Sequence, residues 1–267
     1  MKCVTIISTL CQIIITATGS DWSYDDQSAW PGMCAEGKSQ SPISIEIAAV
    51  DQSVILEDLQ INYGQIDEAG LSITNYGINV LAEQKGYNMS MAYPMGLDFV
   101  HYNEKYGSFG NAKGKPGGLA LFSVNFEIGE ANPEIEKILK AVKTVSQTVE
   151  SIDLYGLMPE EASTKYFGYD GSITIPTCDE NVLWHVAKTT MTISEDQMKV
   201  LRSAVGPDGD VIAPNYRDAQ PLNGRKIYIT EGLKEEGGGV CYGLYHKGDG
   251  YCFQPTELEV ESDKFTV

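Results

Sequence analysis

Few residues of this chain belong to the types that bind metal ions. There are three histidines, His101, His185 and His246, and no two of them are separated by a single residue. That spacing matters because residues two apart on a β-strand share a face, where two imidazoles can bind one ion. The cysteine spacings match no zinc-finger pattern either. The sequence therefore predicts no metal centre, and no cofactor is expected.

One acidic residue lies close to a histidine in a run with strand character. Asp98 stands three residues before His101. Residues three apart on a regular strand point to opposite faces, so these two side chains are not expected to bind one ion. His101 is interpreted as a structural histidine that makes a hydrogen bond. A displaced metal site, built from Asp98 and carboxylates of other strands, is the less favoured alternative.

The first twenty residues are typical of a cleaved secretory signal. Lys2 precedes a largely apolar run at residues 4–15, and small residues follow at positions 17–20. The run is shorter than the roughly 20 residues that a membrane-spanning helix needs. We therefore predict that residues 1–20 are removed and that the mature protein is secreted and extracellular.

Four cysteines remain once this signal is removed: Cys34, Cys178, Cys241 and Cys252. An even number of cysteines in a secreted chain predicts two disulfides, for which three pairings are open. A local loop between Cys241 and Cys252 is the least demanding pairing, and it leaves Cys34 to join Cys178.

The charge of the chain limits its partners. Acidic residues outnumber basic residues by 37 to 19, and the formal net charge is -18. Such a surface repels phosphate groups, so neither nucleic acid nor a membrane is expected as a partner. Calcium contact would suit this acidity, but the chain has no Asp-rich run, so calcium stays a hypothesis. Other extracellular or matrix proteins, or a second copy of the chain, are the remaining classes of partner.

The hydrophobic pattern is dominated by short strands. Runs of β type, separated by Gly, Asn and Asp, extend over residues 56–100, and the apolar run at 119–128 predicts a central strand. Helical spacing follows at 134–145 and again at 194–203, where Ser194 suits the N-cap. Further strands are predicted at 172–175, 182–186 and 226–230. The fold class is therefore mainly β (α+β).

Four ordered blocks of sequence carry a resemblance to a known family. They are Trp22-Ser23-Tyr24 with Trp30-Pro31, Cys34 and Gln40-Ser41-Pro42-Ile43; residues 101–124; residues 166–186; and residues 215–227. Together they resemble the α-carbonic anhydrase family. The resemblance implies a large twisted, mainly antiparallel central sheet with peripheral helices. It implies a domain at residues 21–230, followed by a tail at 231–267, and Cys34–Cys178 matches the disulfide of secreted members.

The resemblance also implies what the family site requires, which is a zinc ion held by three histidines. The zinc lowers the pKa of a bound water, and the resulting hydroxide attacks CO₂. In this chain Asp98 stands where the third histidine is expected. The strand that would carry the other two falls in the stretch from residue 75 to 98, which is shortened and contains no histidine.

Other positions of the site are mixed. Thr174 matches the threonine that orients the zinc-bound hydroxide, but Ile175 replaces the next, usually polar, residue. The proton-shuttle histidine falls near Ile78, which cannot transfer a proton. Thr174 and Asp98 are therefore read as vestigial catalytic positions, and no residue is predicted to be catalytic. Four apolar residues resemble the CO₂-side pocket lining, with ordinary core packing as the favoured alternative: Val100, Ile173, Val182 and Trp184.

Two further features lie outside the family pattern. Asn88-Met89-Ser90 is an N-glycosylation sequon, and a glycan at Asn88 would require that segment to be exposed. The tail at residues 231–267 is Gly-rich, then Tyr-rich around its two cysteines, then acidic. It leaves three interpretations open, which are a disulfide-closed hairpin over a sheet edge, an interaction or oligomerisation arm, and an intermolecular disulfide.

These observations predict a secreted, carbonic-anhydrase-like protein that lacks the zinc site and is catalytically inactive. Its role would be structural, storage, extracellular-matrix or binding. Two alternatives stay open, a zinc-dependent carbonate dehydratase with a rebuilt metal site and a small-molecule binder that uses the vacated active-site cone.

Overall fold

A computed structural model of the chain describes residues 22–45, 50–61, 63, 66–74, 77–82, 84–85, 94–143, 148–206, 209–211 and 215–230. Residues 66–85 within these ranges are described by their backbone. The predicted signal, Asn88, His246, Cys241, Cys252 and the tail at 231–267 lie outside the described residues.

Strands outnumber helices in the described part of the chain. The strands are β1 (Val50–Leu56), β2 (Ile66–Thr74), β3 (Gly77–Ala82), β4 (Gln84–Lys85), β5 (Met95–Tyr102), β6 (Leu119–Ile128), β7 (Thr148–Ile152), β8 (Tyr166–Ser172), β9 (Glu180–Ala187), β10 (Met191–Ile193) and β11 (Ile227–Thr230). The α-helices are α1 (Met33–Glu36), α2 (Phe109–Ala112), α3 (Pro133–Lys143) and α4 (Glu195–Arg202).

A twisted sheet of seven strands forms the centre of the fold. Its order is β1-β11-β8-β9-β6-β10, and β5 also pairs with β6. The predicted mainly-β class around a large central sheet is confirmed. The pairing is mixed, because β1–β11, β6–β9 and β6–β10 are parallel whereas β8–β11, β8–β9 and β5–β6 are antiparallel.

A second sheet contains the strands that precede β5. Its order is β4-β3-β2-β7, and all its pairings are antiparallel. Here the shortened stretch before Asp98 contributes β3 and β4 to this separate sheet. Among the described residues, β5 is paired with β6 alone, so neither β3 nor β4 continues the central sheet beyond it.

Local sequence explains the elements that position the central sheet. β6 has the predicted bounds, and its first six residues are all buried, as a strand at the centre of a sheet requires. α4 begins after Ser194, whose hydroxyl accepts a hydrogen bond from the Gln197 backbone N–H while the Gln197 side chain accepts from the Ser194 N–H. This capping box fixes the helix start that the sequence predicted.

One strand prediction is wrong in its placement. The strand expected at residues 172–175 is instead the end of β8 at Ser172, followed by a loop. The Ile173 N–H donates to the Asp179 carbonyl, and the Cys178 N–H donates to the Ile175 carbonyl. These two bonds close the loop tightly, so Ile173 is buried and Ile175 is partly buried without forming a strand.

The central sheet has an apolar cluster on each face. α3 and α4 cover one face, where Phe122, Val124 and Leu139 are buried. Leu121, Trp184 and Ile229 are buried on the other face. None of the helices in the described part of the chain has the length and apolar character that crossing a membrane requires.

Candidate functional site

The face of the central sheet opposite α3 and α4 carries three of the four predicted lining residues. Strand register aligns Val100, Leu121, Trp184 and Tyr169 in one row across β5, β6, β9 and β8. The Tyr169 and Trp184 rings stack with their centroids 5.8 Å apart. All four side chains are buried in one apolar cluster, so the structure places this row within the core.

Asp98 lies in the neighbouring row on the same face. Strand register aligns it with Ser123, Val186 and Phe167. Asp98 is 2% exposed and Ser123 is 3% exposed. This row therefore places two buried polar side chains opposite each other on an otherwise apolar surface.

The Asp98 carboxyl is the most unusual group of the site. Neither of its oxygens has a hydrogen-bond partner of normal geometry in the described part of the chain. Burial raises the pKa of Asp98 well above its ordinary value, because a charged carboxylate loses its hydration there. The Ser123 hydroxyl lies close enough to offset this pKa rise in part. The arrangement therefore favours a neutral carboxylic acid over a carboxylate.

The two described histidines lie on the opposite face of the sheet. His101 Nε2 is 2.9 Å from Tyr63 Oη, and the two rings stack. His185 Nδ1 is 3.3 Å from the Leu121 carbonyl oxygen. Burial lowers the pKa of both histidines to about 4, so both are neutral at pH 7. Neither imidazole shares a face with Asp98.

The loop after β8 positions the remaining predicted residues. Thr174 is 3% exposed in this loop, and Ile173 is buried beside it. Val182 lies near the start of β9, in register with Leu119 of β6. The indole Nε1 of Trp184 donates to the Ser172 carbonyl oxygen at 3.0 Å, which joins β9 to the end of β8, where the loop begins. All four predicted lining residues thus belong to one buried apolar cluster, and Thr174 is buried next to Ile173 in the chain.

These residues do not fit a zinc ion. Zinc in proteins takes three or four ligands from imidazole, thiolate or carboxylate groups. In the two rows that contain Asp98 and Val100, β5, β6, β8 and β9 offer a single described group of these types, the Asp98 carboxyl. No group of three or more His, Cys, Asp or Glu side chains is placed to hold a metal ion anywhere in the ranges that the structure describes.

Sequence reasoning missed three contributors to the site. Ser123 faces Asp98, Tyr63 contacts His101, and Tyr169 stacks on Trp184. Ser123 had a usable signal, because on its face of β6 the apolar side chains of Leu119 and Leu121 are followed by polar ones from Ser123 onward. The partner of His101 had none, since Tyr63 lies 38 residues away in an irregular segment.

Comparisons with known proteins agree with the fold. A family model described as eukaryotic-type carbonic anhydrase matches residues 88–231. Carbonic anhydrase 1 of Monodelphis domestica is 26% identical over an alignment of 254 residues. The alignment covers 78% of this chain and 97% of that relative.

Proposed function

The chain belongs to the eukaryotic-type carbonic anhydrase family, and we propose that it is a secreted member that has lost the three-histidine zinc site and is catalytically inactive. The family reaction depends on a metal-bound hydroxide, which the zinc supplies when it is bound. Without the ion, neither Thr174 nor Asp98 can generate that nucleophile near pH 7.

The observation that carries this proposal is the arrangement around β5. The whole sequence contains three histidines and no His-x-His pair. His101 and His185 face away from Asp98, and the third, His246, belongs to the tail. A rebuilt zinc site would therefore need at least two new ligands beside Asp98, and the described residues of the sheet supply none.

The Cys34–Cys178 disulfide supports secretion. Its two cysteines are 144 residues apart and joined, and such bonds persist mainly in oxidising compartments. The apolar segment at residues 4–15, followed by small residues, supports the same conclusion.

A structural, storage, matrix or binding role fits a protein of this kind. The net charge of -18 favours contacts with other extracellular proteins or a second copy over contacts with nucleic acid. We keep small-molecule binding in the vacated cone as a second candidate, because Val100, Ile173, Val182 and Trp184 match the apolar lining that the resemblance implies, although they are buried in one cluster. A ligand that co-purifies with the protein would favour that candidate.

The deciding experiment uses protein secreted into the medium of a eukaryotic cell line. Mass spectrometry gives the N-terminus and any glycan at Asn88, and the same sample is dialysed against zinc. Metal content and CO₂ hydration are then measured, with an active carbonic anhydrase as the positive control. We expect an N-terminus near residue 20, zinc far below one equivalent per chain and no hydration above the buffer rate.

The Asp98→Ala variant is the matched control for the metal measurement. One zinc per chain, with CO₂ hydration that Asp98→Ala abolishes, would contradict the proposal and establish a rebuilt metal site. Protein retained inside the cells with residues 1–20 intact would contradict secretion separately.

A further inference from the structure

A buried carboxyl without a hydrogen-bond partner is rare in proteins, since most buried polar groups are paired. Asp98 is such a group, because it is 2% exposed and neither of its oxygens makes a hydrogen bond of normal geometry with the described residues, although the Ser123 hydroxyl lies nearby. The free energy cost is large for a carboxylate and much smaller for a neutral carboxylic acid. The geometry therefore favours the neutral carboxylic acid over the carboxylate.

Among the side chains that the structure describes, β6, β8 and β9 bring no positive charge to Asp98. β4 also lies beside β5, and its Lys85 is described by its backbone alone. β6 contributes Ser123 opposite it, and β8 and β9 contribute Phe167 and Val186 to the same row. The adjacent row on this face, which runs from Val100 to Tyr169, contains one titratable side chain, the Tyr169 phenol. Its pKa is raised, first by burial, so it is neutral at pH 7.

The Arg225 guanidinium beside this phenol makes its hydrogen bonds outside the Asp98 row. The guanidinium of Arg225 lies 5.9 Å from the centre of the Tyr169 ring. Its four donated hydrogen bonds go to carbonyl oxygens, those of Gln40, Asp170, Pro221 and Leu222. Arg225 therefore does not neutralise a charge at Asp98.

We propose that Asp98 carries a proton in the folded protein at neutral pH, and that its ionisation at higher pH loosens the apolar packing between β5, β6 and β9. Asp98 is then a pH-sensitive element within the sheet. Acidic conditions strengthen this part of the fold, and alkaline conditions weaken it.

The direction of the effect follows from proton binding in the two states. The unfolded chain loses the Asp98 proton near the ordinary pKa of 3.8, and the folded chain loses it at higher pH. Between these two pH values the folded state binds the extra proton, so the free energy of unfolding falls as pH rises. The contribution of Asp98 is full below pH 3.8 and is lost as pH rises through the folded pKa.

The test compares urea unfolding of the wild type and the Asp98→Asn variant from pH 4 to pH 9. Asparagine has the size of a protonated aspartic acid but never ionises. We expect similar midpoints at pH 4, and a midpoint that moves increasingly in favour of Asp98→Asn as pH rises. His101 and His185 are present in both proteins, so their own titration cancels in the difference.

Asp218→Asn is the matched control, because Asp218 is an exposed aspartate whose removal changes the net charge equally. We expect it to keep a constant offset from the wild type over the same pH range. A difference between the wild type and Asp98→Asn that does not grow with pH would overturn the proposal.

A direct measurement of the proton does not depend on the variant folding. NMR of the wild type labelled with ¹³C at the aspartate carboxyls follows each group through its titration. We expect one carboxyl to remain protonated at pH 7. The proposal fails if every aspartate titrates in the ordinary acidic range.

A bound cation could neutralise the Asp98 carboxylate in place of a proton. A separate arm of the experiment distinguishes a bound cation from a bound proton. Zinc or calcium is added to the wild type and to Asp98→Asn at pH 7. A metal-induced rise in the unfolding midpoint that Asp98→Asn removes would overturn the proton proposal. A zinc response with CO₂ hydration would also overturn the proposed loss of catalysis, whereas a response without hydration would leave that proposal intact.

Discussion

The two polar residues of β5 show how one strand separates two chemical environments. Asp98 and His101 are three positions apart, and the alternation of the strand places them on opposite faces. His101 has a polar partner in Tyr63, and Asp98 has no hydrogen-bond partner in the described part of the chain. The histidine is therefore a satisfied structural group, and the aspartate is the chemically exceptional one.

The contact between Tyr63 and His101 is testable by a single substitution. Tyr63→Phe keeps the stacked ring and removes the hydroxyl that lies 2.9 Å from His101 Nε2. We expect a loss of about 1 kcal/mol in the free energy of unfolding, which urea unfolding measures at pH 7. Tyr216→Phe is the control, since the Tyr216 side chain is 43% exposed. Equal losses in the two variants would contradict a specific bond.

The elements of the fold were predictable where a short stretch of sequence determines them. The apolar run of β6 and the Ser194 cap of α4 each depend on neighbouring residues. Strand pairing depends instead on residues far apart in sequence, so the mixed sheet and the separate β4-β3-β2-β7 sheet could not be deduced from local pattern. The loop after β8 was predicted as a strand because its apolar residues resemble one in local pattern.

The candidate site shows the same division. The period of two along β5 was enough to predict that the Asp98 and His101 side chains lie on opposite faces of the sheet. The absence of a His-x-His pair follows from the sequence alone. The isolation of Asp98 required the structure, since it depends on the side chains that β6, β8 and β9 bring beside it.

The capping box of α4 provides a test at the level of an element. Ser194→Ala removes the hydroxyl that accepts from the Gln197 N–H at 3.2 Å. We expect a loss of about 1 kcal/mol in the free energy of unfolding, measured by urea or thermal unfolding. Ser203→Ala serves as the comparison, because Ser203 follows the same helix and its hydroxyl bond to Val200 is exposed. A larger loss for Ser203→Ala would show that the cap does not stabilise the helix start.

At the scale of the whole molecule, Arg217 near the C-terminal end of the domain anchors the N-terminal segment, which is distant in sequence. Arg217 donates to the carbonyl oxygens of Cys34 and Ser41 and to the Gln40 side chain, at 2.8 to 3.0 Å. Its guanidinium also lies 5.4 Å from the centre of the Trp30 ring. Burial lowers the pKa of Arg217 to about 10, but it remains charged at pH 7. These bonds join the last of the four blocks that carry the resemblance to the first.

The Cys34–Cys178 disulfide acts at the same scale, since it joins segments 144 residues apart. In the chain-entropy model, closing so long a loop stabilises the folded state by roughly 4–5 kcal/mol. We expect the Cys34→Ala/Cys178→Ala double variant to lose a stability of that order in urea unfolding. The Cys241→Ala/Cys252→Ala variant is the comparison, because a bond between those two closes a much shorter loop and constrains the unfolded chain less. A smaller loss for the first variant than for the second would mean that the long-range bond contributes little to the fold.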